Sequence, residues 1–285
     1  MSINDNIKQY GPYALLGIVF IMLFHSPIAE LFHDWDTDPN YGHGLLIPIV
    51  TCYLLWMMRD ELAVIQADPS PWPGFITLVA ASLFFVLGTA AAEWFVSRTS
   101  MIIFLIGIIL VLGGMPVLKK VWFPVCYLFL MIPVPYLIYY KLTFPLQLFS
   151  TISAHKVIGI IGIAGIREGN ILHFTNYTME VIEACSGLRS AMVLISLSAV
   201  IAYLTPVKKV GKISLFLSAI PVAVAANIVR LIITALLGVF AGAEAASGFL
   251  HDLSGMLMFF CGLLGLLIIR TIILWLSSRK VILAS

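Results

Sequence analysis

The stretch LSGMLMFFCGLLGLLIIRTIILWL, residues 253–276, decides what kind of protein this is, because Arg270 is its only charged residue. Wound as an α-helix at about 1.5 Å per residue, it is about 36 Å long, enough to cross the ~30 Å hydrocarbon core of a bilayer. A helix of that length on a soluble domain would carry a polar face. Similar apolar runs recur back to the N-terminus, near 12–32, 44–58, 74–92, 100–117, 121–139, 187–204 and 213–239. The run at 44–58 is short, and Pro133 and Pro135 break the one at 121–139. Of the 285 residues, 61% are hydrophobic and 11% charged. A soluble domain carries about 25% charged residues. Mean hydropathy is +1.06. These features predict an all-α integral membrane protein: a bundle of about eight transmembrane helices forming a single polytopic domain over residues 1–285. The polar N-terminus precedes the first run without a small-residue cleavage signature, so that run is expected to be retained.

Lys and Arg in the short connections set the orientation. Lys8, Arg59, Lys119, Lys120, Lys208, Lys209, Lys212, Arg279 and Lys280 fall in one set, against Arg98, Lys141, Lys156 and Arg167 in the other. The first set is expected to be cytoplasmic, with both termini inside. The segments near 33–43, 93–99, 140–186 and 240–252 then face outward. Within the longest, 142–164 reads as an amphipathic or re-entrant helical stretch, and 166–170 as a turn. NILHFTNYTMEVIEA, residues 170–184, is rich in β-branched and aromatic residues around Thr175-Asn176, which predicts a short β-hairpin outside the membrane.

Chemistry is sought among polar residues that are costly at their depth. Cys185 lies in EACSGLRS, residues 183–190, at the outer start of the sixth run. A helix N-terminus and Arg189, one turn on, both favour a thiolate, the nucleophilic form. The same residue also fits as a small residue at a helix start capped by Ser186. Cys52, Cys126 and Cys261 sit inside apolar runs and read as packing residues. No CxxC pair or metal-ligand spacing is present, so no metal or cofactor is expected, and nothing points to nucleic acid. Arg230 lies in the outer half of the seventh run, with Asn227 one turn before it on the same face. A buried guanidinium is a donor fork suited to an oxyanion. It equally serves a structural ion pair, with Glu183, Glu93 or Glu244 as partner. His251, at the outer start of the last run, is either a proton carrier or an interfacial histidine without a role. Topology alone puts Cys185, Arg230 and His251 at one membrane level on three helices. A nucleophile, an anion donor and a proton carrier are the parts of acyl transfer through a thioester. Glu183 is placed to orient His251 or pair with an arginine. His43 and the run Asp34, Asp36, Asp38 read as a solvated outer loop, or as a cation or basic-peptide site. The Gly/Ala-rich stretch 235–248 fits either close helix approach or a flexible outer loop.

These segments resemble the exosortase/archaeosortase family of membrane-embedded cysteine transpeptidase-proteases, over a core of about residues 35–276. Residues 183–189, EACSGLR, look like the family's nucleophile motif. Residues 221–230, PVAVAANIVR, resemble the segment ending in its essential arginine. His251 followed by Gly255 resembles the third motif in its bacterial, exosortase form. Supporting matches are Tyr41-Gly42-His43-Gly44, with Gly42 where serine is common, and Ile132-Pro133-Val134-Pro135 followed by Leu146-Gln147. The resemblance implies cleavage of exported proteins bearing a C-terminal sorting signal: a Pro-Glu-Pro-type motif, a membrane helix and a basic tail. Cys185 would attack, Arg230 would stabilise the oxyanion, and His251 would move the proton. The thioester would pass to water or to an amine acceptor on a lipid or glycan. The implied location is the periplasmic face of a bacterial inner membrane, in hosts that make exopolysaccharide. Competing readings are a small-solute transporter, an acyltransferase of exopolysaccharide export, and a non-catalytic assembly subunit.

Overall fold

The computed structural model describes residues 11, 15–181, 188–242 and 249–282. These residues are mostly helical, and they pack as two compact units, Met1–Pro133 and Val134–Ser285.

In the first unit, α1 (Leu15–Leu23) and α2 (His25–Thr37) meet at a 67° bend. A 3-10 turn, Gly42–Leu45, leads into α3 (Leu46–Met57), which is followed by the short α4 (Arg59–Ala63). Helices α5 (Pro71–Ala90) and α6 (Trp94–Leu112) form a tight antiparallel pair. Small residues make it tight: a Cβ on Gly74 would meet Val111 at 2.5 Å, one on Gly107 would meet Leu78 at 2.8 Å, and one on Gly88 would meet the Ser97 backbone at 2.6 Å. At Gly114, φ is +70° and a Cβ would lie 1.7 Å from the Asp68 carbonyl oxygen, so only glycine closes that turn. Helix α7 (Gly114–Tyr127) continues as a 3-10 turn to Met131.

The second unit begins with α8 (Tyr136–Ile160). Its buried positions are Tyr139, Thr143, Gln147, Ser150, Thr151, Ala154 and Ile158, while Leu137, Leu142, Phe149 and Ile160 are exposed. A helix that hides its small and polar face and exposes its apolar one is arranged for lipid, not for water. Strands β1 (Gly165–Glu168), β2 (Ile171–Phe174) and β3 (Thr178–Glu180) form an antiparallel sheet in that order. Then follow α9 (Leu188–Leu204), α10 (Lys209–Leu217), α11 (Ala219–Ala241) and α12 (Phe249–Ile282).

By length and composition, five helical segments can cross a bilayer: Pro71–Ala90, Trp94–Leu112, Gly114–Met131, Lys209–Ala241 and Gly255–Arg279. They become six if α1 and α2 make one bent span. Gly42–Met57 and Arg189–Leu204 are apolar helices below that length. The chain is therefore a multi-pass, mainly helical membrane protein, with five or six full-length spans among the described residues, where about eight were expected from apolar runs.

Several boundaries differ from the sequence expectation. The run read as 121–139 ends at Met131, because Pro133 and Pro135 remove backbone donors and a new helix starts at Tyr136. The sheet has three strands. β2 and β3 form the hairpin around Asn176, and β1 occupies residues read as a turn, with the bend itself at Gly169 (φ +62°). Arg167 and Glu168 masked the strand, whose side chains alternate between exposed and partly buried. Cys52 and Cys261 lie on exposed helix faces instead of in packing. Asp34 is helical, not in a loop, and forms an ion pair with Arg98.

Candidate active site

Three helices of the second unit, α9, α11 and α12, pack on one another. Leu194 of α9, Ala219 and Ala223 of α11 and Leu266 of α12 form a buried apolar cluster. Gly262 fits the same layer, since a Cβ there would meet Leu194 at 2.5 Å. Two turns from this layer, toward the C-terminus of α11 and the N-terminus of α12, lie Arg230 and Gly255. These residues are adjacent: a Cβ on Gly255 would sit 4.0 Å from Nη2 of Arg230. The same two turns along α9 reach its first residue, Leu188, three positions after Cys185.

Arg230 is 9% exposed within an otherwise apolar helix. Asn227, one turn earlier, is fully buried. His251 lies in the first turn of α12, one turn before Gly255 and on the same helix face. Its side chain, together with Glu183 and Cys185, lies outside the described residues. Arg189 is exposed at the start of α9.

The backbone that leads to Cys185 is held from several directions. Val181, fully buried, donates its N–H to the Asn170 carbonyl at 3.0 Å. Its carbonyl accepts from Asn170 Nδ2 at 3.0 Å and from the buried Gln147 Nε2 of α8. Leu172, Phe174 and Met179 of the sheet pack with Ala154 and Ile158 of α8 and with Leu231 and Ala235 of α11. The sheet tip is pinned as well. Tyr177 lies against Gly238 of α11, where a Cβ would meet its ring at 2.2 Å. Asn176 Nδ2 donates to the Val239 carbonyl at 2.8 Å. Close approach thus explains Gly238 within the Gly/Ala-rich stretch; residues 243–248 lie outside the described set. Gln147 was marked in the sequence only as part of a supporting motif. Its partner is a backbone atom 34 residues away, which no local pattern reveals.

His43 belongs to the first unit, in the 3-10 turn ahead of α3. Neither ring nitrogen makes a well-formed hydrogen bond. Burial pushes the imidazole below its ordinary pKa, with the Asn40 backbone partly opposing the shift. The next residue, Gly44, is packed so closely on Trp35 that a Cβ would lie 2.1 Å from its indole nitrogen, which donates to the Met131 carbonyl at 3.0 Å. Asp34, beside Trp35 in sequence, accepts from Arg98 at 2.7 Å. Asp38 Oδ1 accepts from the Asn40 N–H at 2.8 Å, and among the described residues neither Asp36 nor Asp38 forms an ion pair.

The sequence model of the transmembrane exosortase family matches residues 35–268, most of the chain. No curated protein and no solved structure matches it. The chain belongs to the transmembrane exosortase family.

Proposed function

We propose that this exosortase is a cysteine protease or transpeptidase that acts on membrane-anchored proteins through a thioester. Its substrates carry a C-terminal sorting signal of the Pro-Glu-Pro type, followed by one membrane helix and a basic tail. The observation that carries the proposal is the closeness of Arg230 to Gly255, in a layer two turns from Leu194. This supports a site shared by the arginine motif on α11, the helix with His251 in its first turn and the helix that follows Cys185.

In the proposed reaction, the Cys185 thiolate adds to the scissile carbonyl and Arg230 stabilises the oxyanion. His251 gives the proton to the departing amine, leaving a thioester. Water or an amine on a lipid or glycan then takes the acyl group. The clamp on Val181, four residues before Cys185, supports a pre-positioned nucleophile. Glu183 orients His251 or pairs with an arginine.

The site faces the periplasm of a bacterial inner membrane, with both termini in the cytoplasm. The excess of Lys and Arg in one set of connections, including Arg59, Lys119, Lys120, Lys208, Lys209, Lys212 and Arg279, supports this orientation. The substrate's membrane helix reaches the bundle through lipid, and no cofactor enters the scheme.

Co-expression with a tagged substrate of this type from the same genome tests the proposal. Wild type should shorten the substrate on an immunoblot. Cys185→Ala and Arg230→Ala, reaching the membrane at equal level, should not. Cleavage by Cys185→Ala would remove the nucleophile and the mechanism with it.

A further inference from the structure

Asn227 is fully buried, and neither Oδ1 nor Nδ2 of its carboxamide has a hydrogen-bond partner among the described residues. About nine in ten buried polar groups in folded proteins are satisfied, and leaving one unmet is destabilising. Several other polar side chains in these helices avoid that cost by bonding back to their own helix, although the buried Ser150 Oγ of α8 does not. Thr143 donates to the Tyr139 carbonyl, Thr151 to that of Gln147 and Ser196 to that of Met192. Asn227 does not. Its neighbours along the same ridge of α11 are Ala223, in the cluster with Leu194, and Leu231, in the cluster with the sheet. At such a position an aliphatic side chain would be more stable. One turn on, Arg230 lies against Gly255.

An amide with both ends unbonded, buried one turn from a guanidinium, is equipped for a group that arrives from outside the chain. We propose that Asn227 is a second oxyanion donor and contacts the substrate's scissile peptide directly. This rests on the thioester reading above. As Cys185 Sγ bonds to the carbonyl carbon, the C=O π pair moves onto oxygen. Asn227 Nδ2–H and an Arg230 N–H donate to that oxygen. When the pair returns, the C–N bond breaks and the amine leaves with the proton from His251. Asn227 Oδ1 accepts from a substrate backbone N–H, so both ends of the amide are satisfied only in the complex. The ligand class is therefore an extended peptide, bound through its main chain at this point.

The test uses full-length protein in lipid nanodiscs with the tagged substrate, comparing wild type, Cys185→Ala, Asn227→Leu and Asn227→Asp. Single-turnover cleavage, KM and thermal unfolding are measured on each. Loss of one oxyanion donor slows turnover by about 10²–10³-fold. Both Asn227 variants should fall by that factor, and Asn227→Leu, which also loses the Oδ1 acceptor for the substrate N–H, should raise KM. Asn227→Leu should unfold no earlier than wild type, because it breaks no hydrogen bond. Turnover near the wild-type rate in Asn227→Leu would overturn the donor role. So would a loss of rate that merely follows a lower unfolding temperature. Cleavage that survives in Cys185→Ala would instead overturn the thioester reading, and the donor role with it, whatever the Asn227 variants do.

Discussion

Arg98 in the first unit and Arg230 in the second are both buried arginines on apolar helices, 2% and 9% exposed. Depth and charge alone mark them equally. Their surroundings differ. Arg98 donates to Asp34 at 2.7 Å and lies 5.8 Å from the Trp94 ring centroid, so a carboxylate and an aromatic face hold it. Arg230 stands one turn from an unbonded carboxamide and beside Gly255, where a Cβ would lie 4.0 Å from its Nη2. The first setting secures a fold. Both leave buried polar atoms unbonded among the described residues, Arg98 Nε, Ser97 Oγ and Thr99 Oγ1 in the first and the Asn227 carboxamide in the second; on the proposed reading the second serves an incoming group.

The sharpest way to break this contrast is to exchange each guanidinium's function. Arg230→Lys keeps the charge but loses the donor fork. Cleavage should fall by at least about 100-fold while the protein still reaches the membrane at wild-type level. A fully active Arg230→Lys would put Arg230 in the same class as Arg98. Conversely, Asp34→Asn leaves Arg98 charged and buried. It should cost about 3 kcal/mol, at the low end of broken buried pairs because Asp34 is partly exposed. Thermal unfolding checks this, and cleavage per folded molecule should be unchanged.

A smaller effect is expected at the sheet contact of the second unit. Gly238→Val drives a side chain into Tyr177 and should destabilise by about 1–3 kcal/mol. It should also speed alkylation of Cys185 by a bulky maleimide, since the sheet that holds the approach to Cys185 is loosened. Unaltered unfolding and alkylation would show that the contact is not needed.

The smallest effect belongs to His43. Its folded pKa lies below the ordinary 6.5, so as pH falls through that value the unfolded chain takes up the proton first. Stability should therefore be full above about 6.5 and decline below it. In His43→Phe that decline should be reduced. An identical pH dependence of unfolding in the variant would assign it to other groups.

Much of this was legible in the sequence because lipid imposes a simple rule: apolar length gives helices. That rule located α5, α6 and α12 well. It does not resolve the span count where a run bends, as at the 67° angle between α1 and α2, or stays short, as at Gly42–Met57. It also missed Asp34–Arg98, since a pair between two helices leaves no local pattern. Arg230, Asn227 and His251 were found as costly polar residues in apolar helices, and their order with Cys185 identified the family. The role of Gln147 was hidden because its partner is a distant main-chain oxygen. The unmet state of Asn227 was hidden too, because a sequence does not tell which buried amides find partners.

The most direct test of the central claim is to look for the acyl group on Cys185. Wild-type protein in nanodiscs would be mixed with the tagged substrate, quenched in acid within one turnover and digested for mass spectrometry. The account predicts that the peptide containing Cys185 carries the N-terminal part of the substrate through a hydroxylamine-labile bond, and that this adduct is absent in Arg230→Ala. Cleaved substrate with Cys185 unmodified at every time point, or an adduct on another residue, would contradict it.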